Sequence, residues 1–112
     1  MIRLGRFRKA VKLLRTIHPQ LRVSQVDILL SIAAKEGQSQ TDLAADCELS
    51  VAAISRAIDV LGSAGRRDGK GGKLGLIRVE KDPQDDRFQL VYLTDRGKNV
   101  MQLFADLVYG EK

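Results

Sequence analysis

The chain has 112 residues, a 44% apolar fraction, a formal charge of +5 and one cysteine. That length predicts one domain with little room for a second core, and one cysteine excludes an intrachain disulfide and a thiolate-rich zinc site. An aromatic content of 4% without Trp argues against a sugar- or peptide-binding groove, while the positive balance suits an anionic partner, nucleic acid or an acidic surface.

The charge is unevenly spread. Arg3, Arg6, Arg8, Lys9, Lys12, Arg15 and Arg22 all precede the first acid, Asp27, and a second basic cluster holds Arg66, Arg67, Lys70 and Lys73. The basic start runs into no unbroken apolar stretch, so a secretion signal is not expected. Nothing approaches the roughly 18 apolar residues of a membrane span. A cytoplasmic, reducing location is therefore expected.

In residues 2–17, Leu4, Phe7, Val11 and Leu14 alternate spacings of three and four. That predicts a helix with one apolar stripe, ended by His18-Pro19 because Pro disfavours a helical residue before it. The stripe packs on its own domain or forms a dimer contact, with a membrane-surface helix as the least favoured option. Ser24, with Asp27 three residues on, reads as the N-cap of a second helix running through Val26, Ile28, Leu29 and Ile32 towards a stop at Gly37. Gln38, Ser39 and Gln40 read as a polar link.

Residues 41–47 are too few for a stable isolated helix. They are expected to be held by packing, as the first helix of a helix-turn-helix is. Residues 48–50 make the turn, and Ser50 caps a longer helix over residues 51–64. Leu43, Ala44, Cys47, Leu49, Ile54, Ile58 and Leu61 form the expected packed side. Ser50, Val51, Ala52, Ser55, Arg56 and Asp59 fall on the outward side.

Residues 65–75, GRRDGKGGKLG, form a Gly-rich basic loop. Residues 76–80 and 89–93 read as two strands joined by an acidic turn around Pro83, with Arg87 near the tip. Thr94 then caps a last helix bearing Val100, Met101, Leu103, Phe104, Leu107 and Val108. That stripe is wider than one small domain needs, and Val100, Phe104, Leu107 and Val108 are expected to face a second subunit. The predicted class is mainly α with a small β-hairpin, a winged helix-turn-helix with flanking helices at 1–22 and 94–112.

Over residues 24–104 the chain resembles the MarR family of winged-helix regulators. Asp82-Pro83, Asp85-x-Arg87, Leu93-Thr94 and Gly97 are similar to that family's D-P-x-D-x-R … L-T-x-x-G signature at the same spacing. Leu43-Ala44 with Leu49-Ser50 resembles its helix-turn-helix, and Ile54-Ser55-Arg56 its recognition helix. The resemblance implies a homodimer on a partly palindromic DNA duplex, joined through the outer helices. It places recognition helices in successive major grooves and wings in the flanking minor grooves, with Arg87 inserted and Asp85 orienting its guanidinium. Four departures stand out. Asp86 replaces a basic residue beside the wing Arg, and Glu48 occupies a turn position where Gly is common and the backbone often left-handed. The Gly-rich loop is extra, and both terminal segments are short for the family.

Affinity for DNA comes mainly from Lys and Arg neutralising phosphates. Arg56, the one long donor on the recognition helix, reads guanine through two hydrogen bonds, clamps a phosphate, or pairs with Asp59 or Glu48. Val51, Ala52 and Ala53 are small enough to let the helix sit deep and touch thymine methyls. Arg87 enters a minor groove or only stiffens the turn through Asp85 or Asp86. Arg66, Arg67, Lys70 and Lys73 contact phosphates or are simply solvated. Cys47 is expected to be a buried structural thiol, and His18 a cap or surface residue.

No Ser/His/Asp or Cys/His set is present, and the Gly-rich loop lacks the G-x-x-x-x-G-K-[ST] spacing and a preceding strand. No enzymatic activity, cofactor or metal is expected. The function this sequence supports is a duplex-DNA-binding transcription regulator, more readily a repressor than an activator. Its rivals are a winged-helix module docking on the transcription machinery and a weakly specific architectural DNA binder. Scarce aromatics count against single-strand stacking.

Overall fold

The computed structural model describes residues 2–62 and 74–110. In chain order these form α1 (Gly5–Ile17), α2 (Val23–Ala34), β1 (Gln38–Ser39), α3 (Gln40–Cys47), α4 (Val51–Leu61), β2 (Ile77–Lys81), β3 (Gln89–Leu93) and α5 (Asp95–Tyr109). The three strands make an antiparallel sheet in the order β1-β3-β2. Val91 of β3 pairs with Gln38 on one side and Val79 on the other. No described helix is long and apolar enough to cross a membrane.

The core gathers Ile28, Leu29 and Ile32 of α2, Leu43 of α3, Ile54 and Leu61 of α4, and Leu76, Ile77 and Val91 from the sheet side, all under 2% exposed. Each such side chain contributes about 1.5–3 kcal/mol through burial. Because every one of these elements meets the same cluster, the helix-turn-helix and the sheet are held in one packing unit.

The α2 start differs from the sequence reading. The helix begins at Val23, and Gln25 reaches back so that its Oε1 accepts the Arg22 N–H at 2.9 Å. Ser24 is therefore inside the first turn and is not the cap. The α2 end differs too: the helix stops at Ala34 with Lys35 extended. Gly37, at φ +87°, instead donates its N–H to the Val91 carbonyl and feeds the chain into β1. The supposed polar link is thus the third strand. Its Gln38 is buried because its Nε2 donates to the Ser31 and Lys35 carbonyls at 3.1 and 3.0 Å, while the Ser31 hydroxyl bonds Asp46 of α3.

Other boundaries shift less. Helix α4 ends at Leu61, short of residue 64, because Gly62 turns extended and bridges Ile77. Strand β2 starts one residue later than expected, and α1 starts at Gly5. Of the α1 stripe only Leu14 joins the core, beside a fully buried Ala10, while Leu4, Phe7 and Val11 are exposed. On α5, Val100 is buried in the core and does not face outward, as the stripe suggested; Leu103 is exposed in its stead. Helices α1 and α5 pack on each other, and Arg6 donates to the Tyr109 carbonyl at 3.4 Å near the α5 end.

Candidate nucleic-acid interface

Local chemistry sets the helix-turn-helix. The Ser39 hydroxyl accepts the Asp42 N–H at 3.1 Å and starts α3. Glu48 then adopts the left-handed region, φ 56° and ψ 43°, so that the Leu49 N–H bonds the Ala44 carbonyl at 2.9 Å and closes the turn. The Ser50 hydroxyl accepts the Ala53 N–H at 3.0 Å and starts α4. These caps satisfy backbone donors that a short helix otherwise leaves open.

Helix α4 divides cleanly by face. Ile54, Ala57 and Leu61 point into the core, while Ser50, Val51, Ala52, Ser55 and Arg56 are all exposed. Five of the six residues expected on the outward side are thus exposed, while the sixth, Asp59, is half-buried. The Arg56 Nε donates to the Ala52 carbonyl at 3.3 Å. Among the described residues the ion pairs are Arg78 with Glu80 and Arg87 with Asp85, so Arg56 pairs with neither Asp59 nor Glu48. Arg56 also borders a cleft of about 420 Å³ shared with His18, Gln20, Arg22 and Gln25.

The wing is β2, β3 and the turn between them. The Asp82 N–H bonds the Phe88 carbonyl at 3.0 Å, and the Asp82 carboxylate accepts the Gln84 N–H at 2.9 Å. Asp85 holds Arg87 at three points. Its Oδ1 accepts the Arg87 backbone N–H at 3.1 Å and Nε at 3.0 Å, and its Oδ2 accepts Nη2 at 2.7 Å. The Arg87 side chain still stays 81% exposed. Its guanidinium, side chain first and backbone N–H second, holds the Asp85 carboxyl below the usual carboxylate range, and Asp85 in turn raises the Arg87 pKa. Asp86 is exposed beside it.

Arg66, Arg67, Lys70 and Lys73 lie outside the described residues. The chain on their far side is anchored: Leu74 donates to the Val60 carbonyl at 3.3 Å and Gly75 to Gly62 at 3.0 Å. Leu74 and Gly75 therefore sit beside the C-terminal end of α4.

Sequence reasoning missed the ties between wing and helices. Gln40 Nε2 donates to Gln89 Oε1 at 3.1 Å, joining α3 to β3, and Glu36 accepts the Leu93 N–H at 2.8 Å. At the wing stem Arg78 lies over the Tyr92 ring, 4.6 Å from its centroid. These partners are far apart in sequence and carry no periodic signal. Only the β1 pairing, once seen, brings them together.

No protein-family model and no curated sequence matches the chain. Solved structures do. The PcaV transcriptional regulator from Streptomyces coelicolor is similar at TM-score 0.63 and 22% identity, over 95% of this chain and 71% of that one. The S. aureus MepR–DNA complex is similar at 0.71 and 21%, over 92% and 75%. The transcriptional repressor CouR bound to a 23-mer DNA duplex is similar at 0.61 and 24%, over 95% and 66%. At these identities the likeness is one of architecture: the chain has the winged helix-turn-helix fold of these solved structures.

Proposed function

We propose that this protein is a cytoplasmic transcription regulator, a repressor, that binds specific duplex-DNA sites as a homodimer. The observation that carries this reading is the pairing of two exposed elements on one packed scaffold. One is the outward face of α4, with Arg56 as its long donor; the other is the wing tip, with Arg87 held by Asp85. Two of the similar structures are complexes with DNA, which supports the same assignment for this fold. In this reading α4 enters a major groove, Arg87 a minor groove, and Arg66, Arg67, Lys70 and Lys73 neutralise phosphates.

Dimerisation is supported by the apolar surface left uncovered on α1 and α5. Phe7 and Val11 are 53% and 51% exposed, and Leu4, Leu103 and Tyr109 more than half. A two-fold dimer then presents two α4 helices to half-sites about one helical turn, roughly 34 Å, apart.

Fluorescence anisotropy on genomic fragments, with competitor DNA and varied salt, tests the reading. Saturable binding that outlasts competitor is expected, weakened about fivefold or more by Arg56→Ala, as loss of a base contact worth about 1–3 kcal/mol requires, and weakened by Arg87→Ala as well. A mass near twice the chain mass in light scattering is expected alongside. Equal affinity for every fragment sinks the site-specific regulator.

A further inference from the structure

The N-terminal end of α4 carries an apolar surface that the fold does not use. Val51, the first helical residue, is 48% exposed, and Ala52 beside it is exposed as well. The inward face is already filled by Ile54, Ala57 and Leu61. A β-branched residue is also a poor choice for helix propensity at a solvated position, so neither packing nor propensity accounts for Val51. Ser55 and Arg56 follow one turn later on the same face.

The Arg56 Nε bond to the Ala52 carbonyl turns the guanidinium back towards that apolar end. Arg56 is exposed, and among the described residues its guanidinium makes no ion pair, which leaves its terminal nitrogens open as a pair of donors. In a major groove, the base-edge group that offers two acceptors in this spacing is guanine O6 with N7, and the apolar group is a pyrimidine C5-methyl. Val51 and Ala52 lie about one turn, roughly 5.4 Å, from Ser55 and Arg56, and the length of the Arg side chain spans the difference to a neighbouring base pair at about 3.4 Å rise.

Resting on the DNA-binding reading above, we propose that α4 reads a 5-methylpyrimidine next to a guanine. Val51 and Ala52 take the C5-methyl, and Arg56 takes guanine O6 and N7. The methyl belongs to thymine or to 5-methylcytosine, which present the same group to Val51 and Ala52. Ser50 and Ser55 flank the pair as short donors that tolerate either base. The recognition helix thereby specifies a two-base step through shape and one bidentate contact.

The test starts with selection of a randomised duplex pool by the full chain, followed by anisotropy on the enriched duplex. Each thymine is replaced in turn by deoxyuridine, which lacks only the methyl, and by 5-methylcytosine opposite guanine. Deoxyuridine next to the selected guanine is expected to weaken binding about fourfold, the equivalent of about 0.8 kcal/mol for one buried methyl-sized group. Val51→Ala should erase most of that ratio. Arg56→Lys should lower the guanine preference and leave the thymine-to-deoxyuridine ratio intact. Tight binding of the 5-methylcytosine duplex identifies the methyl alone as the group read; weak binding identifies thymine as its source. An enriched site indifferent to deoxyuridine at every position, or a ratio unchanged in Val51→Ala, overturns the inference. A pool with no enriched site overturns the DNA-binding reading itself.

Discussion

A side-chain carbon on Gly97 would stand 2.0 Å from the carbonyl oxygen of Leu76. The first turn of α5 therefore rests directly on the backbone leading into β2. Thr94 completes the joint. Its N–H donates to the same Leu76 carbonyl at 3.0 Å, and its hydroxyl accepts the Gly97 N–H at 3.0 Å and donates to the Gly75 carbonyl at 2.5 Å. The spacing of Leu93-Thr94 to Gly97 is thus a docking device between the wing and the last helix. Gly97→Ala is expected to cost about 1–3 kcal/mol, because the backbones must part. Thr94→Ala should cost about 1 kcal/mol from the cap alone, and Thr94→Ser should restore most of it. Urea titration reads these as shifts of midpoint.

Glu48 holds a left-handed backbone without being glycine, at φ 56°. An L-residue there carries about 1–2 kcal/mol of strain. Replacement by glycine relieves it but adds about 0.5–1 kcal/mol of unfolded-chain freedom. Glu48→Gly is therefore expected to raise stability by up to about 1.5 kcal/mol, while Glu48→Ala, which keeps the strain, should change it little. A gain with alanine equal to that with glycine would locate the effect in the carboxylate and not in the backbone.

The wing offers a comparison at constant charge change. Asp85 and Asp86 are neighbours, but only Asp85 binds the Arg87 guanidinium. Asp86→Asn removes an anion from the wing tip and, if the tip meets DNA as proposed, should tighten binding. Asp85→Asn removes an anion too, yet should loosen binding, because Arg87 loses its orientation. The pH dependence follows from the depressed Asp85 carboxyl. What the pair contributes is present above the ordinary value of 3.8 and is lost as pH falls through the lower folded value. Binding should thus show no titration from this pair between about pH 5 and 8. An Asp85 carboxyl titrating at 3.8 or above by NMR, or unmoved by Arg87→Ala, contradicts the ion pair.

The elements legible in sequence were those whose signals are local. Ser50 and Thr94 cap the helices they were expected to cap, and β3 spans the residues that alternation predicts. The left-handed turn at Glu48 was legible through its departure from the family pattern. The losses were non-local. Strand β1 is two residues long, too short for any alternation, and exists only because β3 offers Val91 and Leu90 as partners. Ser24 had the right chemistry for a cap, but Gln25 captured the start one residue earlier by reaching Arg22. The apolar stripes of α1 and α5 were visible as periodicity, yet periodicity does not say whether a stripe faces its own core. Leu14 and Val100 do, and Phe7 and Leu103 do not. For the candidate interface, five of the six outward residues of α4 followed from helix geometry, whereas only the structure shows that Arg56 pairs with neither Asp59 nor Glu48 among the described residues.

Cys47 tests the packing of the helix-turn-helix. It is 8% exposed, and its thiol pKa is raised first by burial and then by the Asp27 and Asp46 charges, with the Ser31 hydroxyl pulling the other way. The thiolate is the reactive form, so alkylation of the native protein near neutral pH should be far slower than in denaturant. Its rate should follow opening of the α2–α3 contact, and Ser31→Ala, which removes the bond to Asp46, should speed it. Native labelling as fast as that of the unfolded chain would mean that α3 does not cover its cysteine.

The basic loop bears on how much of the affinity is electrostatic. The described residues that follow it in sequence, Leu74 and Gly75, bond Val60 and Gly62 at the end of α4. In the proposed reading Arg66, Arg67, Lys70 and Lys73 are expected to meet phosphates flanking the groove that α4 would occupy. Each phosphate contact releases counterions and steepens log K against log salt by about 0.9. Changing all four residues to Ala should flatten that slope by up to about 3.6 per protomer, with little change in preference between sites, because phosphates carry no base information. Arg56→Ala should do the reverse, losing preference with little change of slope. An unchanged slope in the fourfold variant would remove the loop from the interface and leave α4 and the wing as the whole of it.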